Sequence, residues 1–116
     1  MRSRGEVWLA DLNPRRGTEP GKTRPVVIVQ AQALLDAGHP STLVVPLTTQ
    51  LVGDAEPLRI RIPASSRLKK DADALIDQVR AIDNRRLVQG PLTRLQPTQI
   101  DALDAALADV LDLTSD

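Results

Sequence analysis

The chain has 116 residues, of which 41% are hydrophobic and 26% charged, so we expect one folded domain spanning residues 1–116. Its 15 basic residues balance its 15 acidic ones. The absence of Cys from the sequence excludes disulfide scaffolds and thiol catalysis, and a single His excludes a His-rich metal centre within one chain. No apolar run approaches the ~20 residues of a membrane helix, and the first residues lack the apolar stretch of a signal peptide, so we expect a cytoplasmic protein.

The first part of the chain alternates strand-like segments with structure breakers. Residues 6–12 mix β-favouring side chains with a rough period of two and predict a strand. Residues 13–22 contain two Gly and two Pro and predict a long loop, which in a small domain favours a functional role. The continuous apolar run 25–29 predicts a strand covered on both faces. Residues 31–37 predict two helical turns that end at Gly38.

The middle of the chain contains three more strand-like runs. Residues 43–47 predict a strand in which Pro46, lacking a ladder donor, marks an edge, a bulge or the strand's end. Residues 58–62 alternate three aliphatic side chains with two arginines, so the aliphatics face a core and the arginines face water or a ligand. Residues 74–82 form the next strand-like run, with polar groups inserted.

The end of the chain predicts a turn, a short segment and one helix. Residues 83–86 are typical of a turn, and residues 87–92 add a short segment. Thr98 and Asp101 resemble a capping box for a helix in which Pro97 fits the first turn. The helix has an apolar stripe at helical spacing, made of Ile100, Leu103, Leu107, Val110 and Leu111. Several short strands closed by one helix predict an α+β fold that is mostly β, antiparallel, and a partly closed barrel.

The net charge is unevenly distributed along the chain. Residues 1–24 carry six basic and three acidic side chains, and residues 57–94 carry nine and four. These segments have net charges of +3 and +5, against −3 for residues 25–56 and −5 for residues 95–116. If the two basic segments meet, a neutral protein presents a basic groove to a polyanion; otherwise they are solvated strands and loops beside an acidic helix. Trp8 is the only aromatic residue besides His39, which argues against a platform of stacked aromatics.

Two positions have residue types suited to phosphate chemistry. Arg24 lies between the long loop and a buried strand, where a rigid backbone would hold its guanidinium for a phosphate or, alternatively, as a clamp for the loop. Thr48 and Thr49 follow an apolar strand, and their hydroxyls can donate to a phosphate or satisfy nearby backbone groups. Neither pattern is specific by itself.

Six ordered blocks, covering nearly the whole chain, together resemble the MazF/PemK family, the toxins of bacterial toxin–antitoxin pairs. They are Arg4-Gly5-Glu6-Val7-Trp8, Asp11-Leu12-Asn13-Pro14, Gly17-Thr18-Glu19, Arg24-Pro25-Val26-Val27-Ile28-Val29, Pro46-Leu47-Thr48-Thr49-Gln50 and Asp77-Gln78-Val79-Arg80-Ala81-Ile82-Asp83.

This resemblance implies an SH3-like β-barrel with a C-terminal helix, forming a homodimer with an RNA groove. It also implies a sequence-specific endoribonuclease for single-stranded RNA that needs no metal or other cofactor and is paired with a cognate antitoxin protein. The ribose 2′-hydroxyl would attack its own 3′ phosphate, leaving a 2′,3′-cyclic phosphate and a 5′-hydroxyl. The family's catalytic arginine maps onto Arg24 and its catalytic threonine onto Thr48.

Six further residues are expected to bind RNA or to support the catalytic pair: Glu19, Thr49, Gln50, Asp77, Gln78 and Arg80. The last three match a strand that lines the groove in relatives, and Glu19 would orient the guanidinium of Arg24 unless it is an exposed loop acid. Arg24 and Thr48 are not bases at neutral pH. His39 is the natural rival for that role, but it lies outside every matched block and is expected to be an exposed loop residue.

Two other functions are compatible with the sequence. A toxin of similar architecture, like CcdB, binds DNA gyrase and is marked by a C-terminal Trp-Gly-Ile, whereas this chain ends Leu113-Thr114-Ser115-Asp116. A non-catalytic RNA-binding barrel is the third class of function. The presence of both Arg24 and Thr48 argues against it.

Overall fold

The computed structural model describes residues 2–13, 17–18 and 22–113. Within these residues the chain forms seven strands, two α-helices and two 3₁₀ turns. The strands and α-helices are β1 Glu6–Asp11, β2 Thr23–Ile28, α1 Gln32–Asp36, β3 Ser41–Thr48, β4 Arg59–Ile62, β5 Ala72–Leu75, β6 Arg80–Asp83, β7 Leu87–Arg94 and α2 Pro97–Val110. The 3₁₀ turns are Ile76–Gln78 and Asn84–Arg86.

The strands form one antiparallel sheet with the order β4-β5-β3-β2-β1-β7, and β6 pairs with β3 beside this path. The β4–β5 connection reaches the far end of the sheet, where Arg67 N–H donates to Leu92 C=O at 2.9 Å. Thr93 Oγ1 donates to Ser65 Oγ at 3.2 Å in the same region. These contacts curl the sheet toward a barrel, and the predicted mostly-β antiparallel fold with a C-terminal helix is confirmed.

The larger of the two hydrophobic clusters among the described residues lies between the curled sheet and α2. Val27 and Leu47 from central strands pack in the same cluster as Leu103 of the helix. Four of the five stripe positions of α2 contact this core, but Leu111 is 51% exposed because it follows the last helical residue.

The predicted capping box of α2 is wrong by two residues. Because Pro97 occupies the first helical position, the cap falls on Gln96 and its partner is Gln99, so Thr98 and Asp101 do not form it. Gln96 N–H donates to Gln99 Oε1 at 2.6 Å.

The prediction that Pro46 marks an edge or the end of its strand is wrong. This residue lies inside β3, opposite Val26. On the side away from β2, β3 pairs first with β6 through residues 41–44 and then with β5 through residues 47 and 48. Pro46 therefore falls where β3 changes its partner, a place where a missing ladder donor costs little.

Two further strand predictions differ from the structure. The run 74–82 is not one strand, because the Ile76–Gln78 turn separates β5 from β6 and lets each pair with a different part of β3. Leu58 is 51% exposed because it precedes β4, so only Ile60 and Ile62 of that alternating run face the core. Across the part of the chain that the structure describes, no helix is long and apolar enough to cross a membrane.

Candidate active-site groove

A groove of about 900 Å³ opens where β2 begins and β3 ends. The ladder between these strands pairs Val26 with Pro46. Arg24 lies two residues before Val26, and Thr48 lies two residues after Pro46. Both side chains line the groove. Because the strands run antiparallel, the ladder brings the start of one and the end of the other to the same place.

The hydroxyl of Thr48 is oriented by the turn that follows it. Thr48 is half-buried and lines the groove at the end of β3, next to Leu47, which packs in the core. Its Oγ1 accepts a hydrogen bond from Gln50 N–H at 3.2 Å. A hydroxyl has one donor hydrogen and two acceptor lone pairs, so this contact leaves the hydrogen of Thr48 for a ligand.

Arg24 is part of a paired strand. It lies inside β2, paired with Ala10 of β1, and Thr23 and Pro25 on either side are paired as well. This backbone fixes the root of the side chain of Arg24, a half-buried residue, as phosphate recognition requires.

The loop between β1 and β2 is closed at its base beside Arg24. Lys22 N–H donates to Asn13 Oδ1 at 2.6 Å, and Leu12 N–H donates to Lys22 C=O at 2.9 Å. Arg86 adds a clamp, donating through Nη1 to Asp11 C=O at 3.1 Å and to Asn13 C=O at 2.6 Å. Residues 14–16 and 19–21, and with them the predicted role of Glu19, lie outside the described residues.

The two basic segments of the sequence meet at this groove. Among its described lining residues there is no Asp or Glu. Cations from both segments line it: Lys22, Arg24, Arg59, Arg67, Lys69 and Lys70. Such a surface attracts a polyanion even though the whole chain is neutral. This is the basic groove expected from the sequence on the condition that the two basic segments meet.

A buried carboxylate lies behind one wall of the groove. Asp73 is only 1% exposed, and it accepts hydrogen bonds from Arg61 Nε at 2.6 Å, Arg59 Nη1 at 3.2 Å and Val52 N–H at 2.8 Å. Burial alone would raise the pKa of Asp73, but the hydrogen bonds from Arg61, Val52 and Arg59 outweigh it, and the pKa lies below its ordinary value. The carboxylate is therefore charged at neutral pH.

The structure brings some of the sequence-predicted residues together and leaves others apart. Thr49 and Gln50 line the groove with Arg24 and Thr48. Other candidates do not line it: Asp77 and Gln78 lie on the 3₁₀ turn after β5, Arg80 begins β6, and His39 is exposed, with Nδ1 3.0 Å from Ser41 O.

Several lining residues were missed by the sequence analysis as individual site residues: Asn13, Thr18, Lys22, Arg67, Lys69 and Lys70. For Arg67, Lys69 and Lys70, the only signal in the sequence was the positive net charge of residues 57–94.

The chain is similar to known toxins over nearly its whole length. The family model described as PemK-like, MazF-like toxin of type II toxin–antitoxin systems matches residues 3–111. The Mycobacterium tuberculosis toxin MazF-mt6 is 22% identical with a TM-score of 0.77, over 95% of this chain and 99% of that one.

Two other solved structures are similar over nearly their whole length. An endoribonuclease in complex with its cognate antitoxin, from a mycobacterial species, is 22% identical with a TM-score of 0.77, and all of both chains is covered. MazF from Deinococcus radiodurans is 19% identical with a TM-score of 0.78, over 96% of each chain. At these identities the structures establish the shared fold.

Proposed function

The chain belongs to the PemK-like, MazF-like toxins of type II toxin–antitoxin systems, and from this premise we propose that it is an endoribonuclease that cleaves single-stranded RNA at short sequences. One observation carries the proposal: Arg24 and Thr48 flank a groove whose described lining is cationic and without acids. Two similar structures are described as endoribonucleases, which supports the same activity.

The proposed reaction is an internal transesterification. The ribose 2′-oxygen forms a bond to the adjacent phosphorus while the bond from phosphorus to the 5′-oxygen breaks. The 2′-hydroxyl loses its proton and the leaving 5′-oxygen gains one, so the products are a 2′,3′-cyclic phosphate and a 5′-hydroxyl. Nucleophile and electrophile belong to one nucleotide, so the protein has to align them and stabilise the negative charge that develops on phosphorus.

Arg24 and Thr48 divide that work in the proposal. The guanidinium of Arg24 is a permanent, forked cation that matches two phosphate oxygens and stabilises the phosphorane. Thr48 adds one hydroxyl donor, oriented by its contact with Gln50 N–H. We assign no proton removal to either residue, since an arginine stays protonated at neutral pH and a threonine hydroxyl is not basic.

The partners follow from the same premise. We propose that the protein acts in the cytoplasm as a homodimer, and that a cognate antitoxin protein inhibits it. The complex of a similar endoribonuclease with its antitoxin supports the last point. An acidic antitoxin segment would occupy the cationic groove by the same electrostatics that attract RNA.

The test is incubation of the purified protein with a long RNA in EDTA. The proposed nuclease yields discrete fragments, whereas Arg24→Ala yields none. A gyrase-binding toxin would leave the RNA intact and inhibit DNA supercoiling, and a non-catalytic RNA-binding barrel would retain the RNA uncut. Intact RNA with the wild-type protein would therefore overturn the proposed activity.

A further inference from the structure

We propose that Arg59 is a second phosphate-binding residue of the groove, and that Asp73 is the positioning residue that holds it there. The inference rests on the proposed RNA-cleaving function and assigns to Arg59 a phosphate of the bound strand other than the scissile one. It is carried by three observations: the anchoring of Arg59, the charge balance around Asp73 and the place of both in the strand order.

Within the part of the chain that the structure describes, Arg59 is anchored through a single guanidinium nitrogen. Its Nη1 donates to Asp73 Oδ2 at 3.2 Å and to Gln50 C=O at 2.8 Å. A guanidinium has five N–H donors, and these contacts leave Nε and Nη2 for a ligand. The side chain is 25% exposed and lines the groove, so it is both restrained and accessible. Restraint matters because a pre-positioned arginine loses less conformational entropy when it binds a phosphate.

The charges around Asp73 leave a positive surface. One carboxylate faces two guanidiniums, Arg59 at 3.2 Å and Arg61 at 2.6 Å. The carboxylate is 1% exposed, whereas the two arginine side chains are 25% and 44% exposed. A polyanion in the groove therefore meets the guanidinium of Arg59, and the acid lies behind it.

The strand order places Arg59 beside the proposed catalytic pair. In the order β4-β5-β3-β2, Arg59 of β4 and Arg24 of β2 lie on opposite sides of Thr48. Neighbouring strands are spaced by about 4.8 Å, so the two strands are about 14 Å apart along the sheet. This placement fits contacts with two different phosphates of one RNA strand.

The test measures binding of a short, fully 2′-O-methylated RNA of randomised sequence, which cannot undergo 2′ attack. Fluorescence anisotropy gives its Kd between about 50 and about 200 mM salt. Arg59→Gln should weaken binding by about tenfold and lower the slope of log Kd against log salt by about 0.7, the value for one contact to single-stranded nucleic acid. Arg59→Lys should recover part of the loss. On cleavable RNA, Arg59→Gln should raise KM and keep kcat.

Arg61→Gln is the matched control. It removes the same charge from the same carboxylate, two residues along β4, but Arg61 does not line the groove. Its salt slope should equal that of the wild type. Equal losses of slope in both variants would show that only the general field is being measured and would overturn the proposal.

Asp73→Asn separates positioning from charge. If Asp73 positions Arg59, the amide weakens RNA binding and has no further effect in the Arg59→Gln background. If the carboxylate only opposes the RNA charge, Asp73→Asn tightens binding, and the positioning role is wrong. Should Asp73→Asn fail to fold in a thermal melt, the two arginine variants still decide the role of Arg59. Wild-type cleavage with unchanged binding by Arg59→Gln overturns this inference alone, whereas binding without cleavage overturns the proposed function alone.

Discussion

Thr48 lies directly opposite Asp73 in the ladder between β3 and β5. The residue proposed to supply the catalytic hydroxyl therefore pairs with the strand that carries the buried carboxylate of Asp73. Asp73 in turn accepts a hydrogen bond from Val52 N–H, and Thr48 accepts one from Gln50 N–H, so both ends of the turn after β3 are held. The groove wall is thus built from strand ladders and a charged hydrogen-bond cluster, which suits a site that must hold a phosphate rigidly.

We predict that Arg24→Ala abolishes RNA cleavage and leaves the fold intact. Losing one charge-stabilising donor typically lowers the rate about 100- to 1,000-fold. Arg24→Lys should recover only part of it, since a point charge does not reproduce the guanidinium fork. Single-turnover cleavage rates and thermal melts of both variants check this, and a wild-type rate for Arg24→Ala would remove the residue from the mechanism.

Thr48→Val should lower turnover much more than Thr49→Val does. Valine keeps the β-branched shape and deletes the hydroxyl, so stability should fall only by the lost contact with Gln50 N–H, about 1 kcal/mol. Cleavage rates and denaturant unfolding of both variants are the measurement. A larger loss in Thr49→Val would place the catalytic hydroxyl one residue later.

Stability should decrease at acid pH because of the buried carboxylate of Glu6. This side chain is 3% exposed and accepts hydrogen bonds from Ser3 N–H at 2.8 Å, Trp8 Nε1 at 3.1 Å and Arg94 Nη2 at 2.7 Å. Burial alone would raise the pKa of Glu6, but these contacts outweigh it and the pKa lies below the ordinary 4.5. Since the folded pKa is the lower one, the stabilisation is present above pH 4.5 and is lost as the pH falls through the folded value.

Glu6→Gln should therefore cost about 1–3 kcal/mol at neutral pH and flatten the acid limb of the stability curve. Denaturant unfolding of wild type and variant over a pH series measures both effects. Parallel curves for the two proteins would mean that Glu6 does not carry this acid dependence.

Gly90→Ala should destabilise the fold without touching the groove. A Cβ at Gly90 would lie 2.7 Å from Cε3 of Trp8, too close for any carbon, so the indole or β7 has to shift. Overpacking of this kind typically costs about 1–3 kcal/mol. Gly53→Ala is the control, because a Cβ there has nothing within 4 Å, and its effect should stay within about 0.5 kcal/mol. Equal melting temperatures for the two variants would contradict the close packing of Gly90 on Trp8.

The sequence predicted most elements because their patterns are local. The alternation within residues 58–62, the continuous apolar run before Gln30 and the helical stripe of α2 are patterns of neighbouring residues, and each led to the type of element expected. Boundaries that depend on tertiary contacts were wrong. A buried apolar residue such as Ile76 fits a strand and a buried turn equally well. The pattern of residues 74–82 therefore does not show the break between β5 and β6.

The candidate site was predictable only in part for the same reason. The family resemblance singled out Arg24 and Thr48, whereas the segment charges indicated a basic groove only on the condition that the two basic segments meet. Asp73 gave no signal, since an acid between two alanines reads as an exposed position, and its partners Arg61 and Val52 are 12 and 21 residues away in sequence. Only the folded sheet shows that this carboxylate is buried and shared by two arginines.

The most direct measurement of the central claim is the end chemistry of RNA fragments produced in EDTA by the wild type and by Arg24→Ala. Fragment ends are mapped by sequencing, and the 3′ and 5′ groups are identified by phosphatase and kinase treatment. We expect wild-type fragments with 2′,3′-cyclic phosphate and 5′-hydroxyl ends at one short sequence, and no such fragments from Arg24→Ala. Fragments with 5′-phosphate ends, or the same fragments from both proteins, would contradict it.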